Sequence, residues 1–154
     1  MNVWYLDSSA LVKHHVAEVG SLWINATIFE PLDNLLLSSR VTMVEVRSAL
    51  ARRRRGASIS LQDHADALDA FYADCVNRYR FVELELPIIE LASELLDRYP
   101  LRANDAIQLA SALQAGPVLT AAGFSRPCFI SADERLLAVA QSEGLRTDNP
   151  NLHP

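Results

Sequence analysis

The chain has 154 residues, half of them hydrophobic, which suits one domain able to bury roughly two-thirds of its unfolded surface in a single core. A formal net charge of −5 argues against coating nucleic acid by bulk electrostatics and leaves any such contact to a local basic surface. No stretch approaches the roughly 18 uninterrupted apolar residues of a membrane span and no basic-then-apolar leader opens the chain, so a cytoplasmic protein with no membrane contact is expected.

Cys75, Cys128, His14, His15, His64 and His153 stand in no C-x-x-C, H-x-x-x-H or H-E-x-x-H spacing, so neither a zinc site nor a disulfide framework is expected. Of the 14 basic residues only Lys13 is lysine, a bias that genome base composition explains more readily than function.

In chain order, Val3 to Leu6 form a short apolar run ending at Asp7, the pattern of a strand buried on both faces of a parallel sheet. Ser8 and Ser9 are placed to cap a helix through Ala10, Leu11 and Val12. A second helix is expected from about Ser21 to Phe29, ended by Pro31, and Leu35 to Leu37 read as another buried strand. Thr42 to about Arg55 has a broad apolar face and stops at Gly56; Leu61 to Tyr79 follows as a long helix. Phe81 to Leu86 alternates as a strand with Val82, Leu84 and Leu86 inward. Pro87 suits the first turn of the next helix, which runs to Tyr99. Asn104 to Gln114 is helical, Gly116 to Pro127 loop-like, and Phe129 and Ile130 a brief strand. Ser131 then caps a last helix reaching Gly144, and the tail after Leu145 is expected on the surface. Strands alternating with helices predict one α/β domain over residues 1–154 with a mostly parallel sheet, whose sites lie outside the carboxyl ends of the strands.

Asp7, Glu45, Asp105 and Asp133 each follow a strand or open a helix. Each has an ordinary explanation. Thr42 with Glu45 and Ser131 with Glu134 have capping-box spacing, Asp105 and Asp133 lie in first helical turns, and Asp7 suits a cap. Together, however, they are carried to one sheet edge. Two carboxylates about 4 Å apart repel by roughly 4 kcal/mol at an effective dielectric near 20, so a tight cluster calls for a divalent cation or for protonation. All-oxygen ligands suit Mg²⁺ or Mn²⁺, which also bind phosphate.

The stretches Leu6–Lys13, Thr42–Val46, Leu101–Ala110 and Ser131–Leu136 resemble the signatures of PIN-domain ribonucleases, above all the VapC-type toxins of bacterial toxin–antitoxin pairs. The resemblance runs in the same order from Asn2 to about Pro150. It implies a PIN-like three-layer sandwich and an acidic core of Asp7, Glu45 and Asp105, with Asp133 the fourth, more variable member. Asn104 departs from the larger residue these toxins often carry there. The implied activity is hydrolysis of RNA by a water activated on Mg²⁺ or Mn²⁺. Ser9, Lys13 and Arg102 are the candidate substrate contacts, Ser9 also as a hydroxyl near the metal.

The resemblance further implies a cognate antitoxin and a homodimer. Trp23, Phe29, Phe71 and Tyr72 are candidate linings for an antitoxin groove. The arginines from Arg52 to Arg55 read as a solvated helix end, and His14 and His15 as surface or core-edge residues. An aspartyl-nucleophile phosphatase is disfavoured because Ser9 stands where D-x-D needs its second acid. A non-cleaving RNA- or protein-binding module on the same fold is the remaining alternative.

Overall fold

The computed structural model describes residues 1–154. Five strands, β1 (Val3–Leu6), β2 (Leu35–Ser39), β3 (Tyr79–Val82), β4 (Cys128–Ile130) and β5 (Arg146–Asp148), form one sheet in the order β3-β2-β1-β4-β5. Every neighbouring pair is parallel. Alternation of side chains across the pleat sorts the apolar runs into two cores. Val3, Tyr5, Leu37 and Phe129 face α5 (Leu86–Arg98), α6 (Ala103–Ala121) and α7 (Glu134–Ser142). Leu6, Leu36, Cys128 and Ile130 face α1 (Ser8–His15), α2 (Ser21–Ile24), α3 (Thr42–Arg55) and α4 (Leu61–Asn77). The result is the three-layer α/β sandwich that continuous apolar strands require.

From β1 the chain steps outward to β2 and β3, then crosses back through α5 and α6 to lay β4 on the other side of β1. Helices flank opposite faces because each parallel crossover keeps the right-handed sense while the direction of travel reverses. The reversal lies between β1 and β4. A crevice opens there at the carboxyl ends of the strands, the usual place for a site in such a sheet.

Several boundaries differ from those read in the sequence. Tyr79 leaves α4 and enters β3, and the strand ends at Val82. Leu84 and Leu86, expected inward, are exposed; Pro87, in the first turn of α5, starts a helix where alternation alone predicts more strand. The expected loop after Gly116 is helix. α6 runs through Pro117 to Ala121 because Ala115 and Leu119 bury against the α5–α7 core on both sides of the proline. The winding from Ser21 to Phe29 is helical, with a π-helical turn from Asn25 to Phe29. The tail is not a surface appendage: β5 pairs with β4, and Leu145, Asn149 and Pro150 are buried. Phe29 and Phe71 belong to the core and Trp23 stacks on His153, so these rings do not line an open groove. Tyr72 is partly exposed, with its hydroxyl accepting from Arg47. No helix is long and apolar enough to cross a membrane.

Gly20 seats the tail. It has φ +86°, and a Cβ placed there would lie 2.3 Å from the Pro150 carbonyl oxygen. Gly123 has φ +85° but open space around it. A Gly20→Ala variant is expected to lose about 1–3 kcal/mol of unfolding free energy in urea, clearly more than Gly123→Ala, which bears only the backbone strain. Equal losses would show that the Pro150 contact is immaterial.

Candidate active site

Asp7 ends β1 at the crevice and caps α1, its Oδ1 accepting from the Ala10 N–H at 2.9 Å. The predicted caps Ser8 and Ser9 are instead the first residues of the helix. Ser9 Oγ donates to Asp7 Oδ1 at 2.6 Å and Ser131 Oγ donates to Oδ2 at 2.5 Å. Each hydroxyl is oriented by a backbone donor of the loop after β4, Ala132 N–H onto Ser9 and Asp133 N–H onto Ser131. Their protons are thereby directed at the carboxylate. Although these bonds favour the anion, burial is the larger influence and lifts Asp7 from 3.8 to about 6, with the charge of Glu45 adding to the rise.

Glu45, in the first turn of α3, is half-buried and held by Gln108, whose Nε2 donates to Oε1 at 2.7 Å. The same amide nitrogen donates to Thr42 Oγ1 at 2.7 Å, and Gln108 Oε1 accepts from the Tyr5 hydroxyl at 2.8 Å. Ser38 Oγ gives its proton to the Leu6 carbonyl, so the 2.7 Å contact between Thr42 and Ser38 is donated by Thr42. This closed accounting overturns the capping-box reading of Thr42 and Glu45: the threonine hydroxyl faces the sheet, and no side chain caps α3. The second capping box is absent too, since Asp133 accepts from Arg135 N–H and Leu136 N–H and is itself the cap of α7.

Asp105 opens α6 and is half-buried. Burial raises its pKa first and Asp133 second, while Arg102 pulls it down. Glu45 is also raised, chiefly by burial and opposed by Gln108, with Asp105 contributing to the rise. The acids therefore interact as a chain, Asp7 with Glu45, Glu45 with Asp105, Asp105 with Asp133. A cleft of about 750 Å³ is lined by Ser9, Glu45, Asp105, Arg52, Arg102 and Asn104 among others, and Asp7 lies beneath its floor. A smaller hollow beside it joins Asp105, Arg102 and Asp133. The acids are not the tight knot that repulsion at about 4 Å presupposes: no three of them bring oxygens within 4.8 Å of one another. Hydroxyl, amide and backbone donors bond Asp7, Glu45 and Asp133 individually. Lys13 lines the cleft wall, but its ammonium is bonded to the Val19 carbonyl at 2.8 Å and to Glu18 at 3.4 Å.

A PIN domain model matches residues 4–142. Two relatives from Mycobacterium tuberculosis strains, Ribonuclease VapC45 and Ribonuclease VapC49, are each 35% identical over 155 residues, covering 100% of this chain and of the relative. The chain belongs to the PIN-domain family of VapC ribonucleases. Solved structures agree at the level of the fold. VapC20 of Mycobacterium tuberculosis, described as a sarcin-ricin loop cleaving toxin, has a TM-score of 0.63 at 17% identity, covering 99% of this chain and 100% of that one. VapBC2 of Rickettsia felis, bound to a promoter DNA fragment, has a TM-score of 0.63 at 10% identity, covering 96% and 98%. The Mycobacterium tuberculosis VapBC-5 complex has a TM-score of 0.57 at 15% identity, covering 97% and 98%.

Within this PIN domain, two polar residues given no site role in the sequence reading complete the geometry. Gln108 and Ser131 are both buried and reach Glu45 and Asp7. The available signal was a glutamine on the buried face of α6, one turn after Asp105, and a serine directly after an apolar strand. The Asp7 pKa gives a signed prediction. A carboxyl whose folded pKa exceeds its unfolded one favours folding fully below about 4, and that advantage is lost as pH rises through about 6. In metal-free protein, Asp7→Asn is therefore expected to raise the denaturation midpoint at pH 7.5 by the equivalent of about 3 kcal/mol, and to raise it little at pH 4. A gain independent of pH would contradict the assignment.

Proposed function

We propose that this chain is an Mg²⁺- or Mn²⁺-dependent endoribonuclease, acting as the toxin of a toxin–antitoxin pair and held as a homodimer. The observation that carries the reading is the buried Asp7, ionised with difficulty, wired at the topological switch point to a file of acids around one open cleft. The donor set fits a hard dication. Its available ligands are carboxylate oxygens, and magnesium commonly uses only one or two of them and keeps several waters, which suits acids that share a cleft without closing on each other.

When bound, the ion would supply Lewis acidity toward a phosphoryl oxygen and lower the pKa of an attacking water. Asp7, Glu45 and Asp105 would hold it, with Asp133 at the outer end. Gln108 keeps Glu45 turned toward the cleft, and the backbone-oriented hydroxyls of Ser9 and Ser131 keep Asp7 in one rotamer. Arg102 lines both the cleft and the neighbouring hollow and is the first candidate for a backbone phosphate of unpaired RNA. Lys13 would reach a phosphate only by releasing Glu18. The antitoxin assignment draws on the fold's likeness to proteins solved as toxin–antitoxin complexes.

Asp7→Asn, Glu45→Gln and Asp105→Asn are each expected to lower cleavage of single-stranded RNA by at least about a hundredfold while circular dichroism stays native. Chelation should abolish cleavage, and added Mg²⁺ or Mn²⁺ should restore it. Undiminished cleavage by folded Asp7→Asn, or by the chelated wild type, would overturn the reading. Retention of RNA without any cleavage would favour a binding module.

Gln108→Leu separates positioning from folding. It removes the donor to Glu45 and leaves the Tyr5 hydroxyl without its acceptor, so kcat should fall by about 10- to 100-fold with KM little changed. A change confined to KM would count against a positioning role.

A further inference from the structure

A second cluster of ligating atoms lies away from the acidic cleft. His14 and His15, in the last turn of α1, meet Asp74 of α4. His14 Nε2 is 3.2 Å and His15 Nε2 3.8 Å from Asp74 Oδ2, and all three ligand atoms lie within 4.8 Å of one another. Sequence spacing hides this group, because 59 positions separate Asp74 from His15. We propose that His14, His15 and Asp74 form a binding site for a borderline transition-metal dication, zinc by the character of its donors, separate from the catalytic acids.

Two of the three ligand-to-ligand distances suit a tetrahedral ion. Ligands about 2.0–2.1 Å from a tetrahedral zinc stand roughly 3.4 Å apart, so the contacts of Asp74 with both imidazoles already bracket the required edge. The His14 imidazole is also oriented from behind. His14 Nδ1 lies 2.6 Å from Asn25 Oδ1, the arrangement in which one ring nitrogen donates outward and leaves the other as ligand. Asn25 is delivered to that position by the π-helical turn, a local winding frequent at functional sites. The His14 ring is stacked on Phe29 with centroids 3.7 Å apart, and the His15 side chain is 1% exposed against Phe71, so neither ring is free to swing away. Asp74 and His14 keep about a quarter of their side-chain surface open, which leaves a route in. The Tyr79 hydroxyl is bonded to His15 Nε2 at 2.9 Å and lies 3.5 Å from Asp74 Oδ2, so a metal taken up at that nitrogen displaces this hydroxyl. Two imidazoles and one carboxylate favour zinc or cobalt over magnesium, the reverse of the all-oxygen cleft.

Zinc titration of the metal-free full chain against a chromophoric chelator, with millimolar Mg²⁺ present to occupy oxygen sites, tests this. The expected result is one zinc per chain, at least tenfold weaker in His14→Gln and in Asp74→Asn but unchanged in Glu45→Gln and Asp105→Asn. Cobalt should give the intense visible absorption of four-coordinate nitrogen and oxygen ligation, and should shift the His14 and His15 imidazole resonances of the wild type, which reports the ligands without any substitution. Absence of stoichiometric uptake by folded wild type, uptake that survives both cluster variants, or loss of uptake with Glu45→Gln would each overturn the proposal.

Discussion

A carboxylate placed under the floor of a cleft is expensive to ionise, and most of what surrounds Asp7 follows from that. Three donors converge on it, from Ser9, Ser131 and the Ala10 backbone, and two come from opposite sides of the sheet's reversal point. Because Ser9 and Ser131 are themselves oriented by backbone N–H groups of the loop after β4, the bond set also ties that loop to the start of α1. Burial still outweighs the donors, as the raised pKa shows. The native fold thus holds a carboxyl poised between two charge states, and the dication proposed for the cleft would resolve it toward the anion.

The same logic runs through Glu45. Its restraint begins in the sheet, at the Tyr5 hydroxyl and the Leu6 carbonyl, and reaches the cleft through Gln108, Thr42 and Ser38. Every member of that path has a partner, which is the condition under which a buried polar network rigidifies a core rather than weakening it. Tyr5 also stacks on Phe129 at 5.4 Å, so the network is braced by the apolar layer it crosses. Glu45 is consequently positioned by the packing of α6 on β1 and β2.

The parallel sense of the sheet, four of its five strands and the placing of the four acids after strands or in first helical turns were legible because their signals are local: short apolar runs and helical stripes. Where the reading failed, a distant contact had outvoted a local rule. Pro117 marks a helix end by itself, yet Ala115 and Leu119 hold α6 together across it. Leu84 and Leu86 continue an alternation that Pro87 interrupts. Thr42 and Ser131 have the spacing of helix caps, but their hydroxyls are drawn inward by Gln108 and Asp7, partners 66 and 124 positions away. The closeness of the acids was overestimated for a related reason. Sequence shows which charged groups share an edge but not their spacing in the fold or the neutral donors bonded to each.

Helix α1 links the two polar centres and suits both by its electrostatics. Its first-turn N–H groups face Asp7, where the positive end of the helix dipole favours an anion, while its last turn presents His14 and His15 at the negative end, where positive charge is favoured. A carboxylate at one end and a dication at the other would each lower the energy of the same short helix. Exchanging the two would oppose the dipole at both ends. An eight-residue helix has little stability of its own, so its placement depends on what holds its ends. Asp7 fastens the first through β4, and the imidazoles fasten the second through α4. Movement of α1 would therefore displace Asp7 and Ser9 at the acidic cleft, and this gives a cluster remote from that cleft a physical means of influencing it.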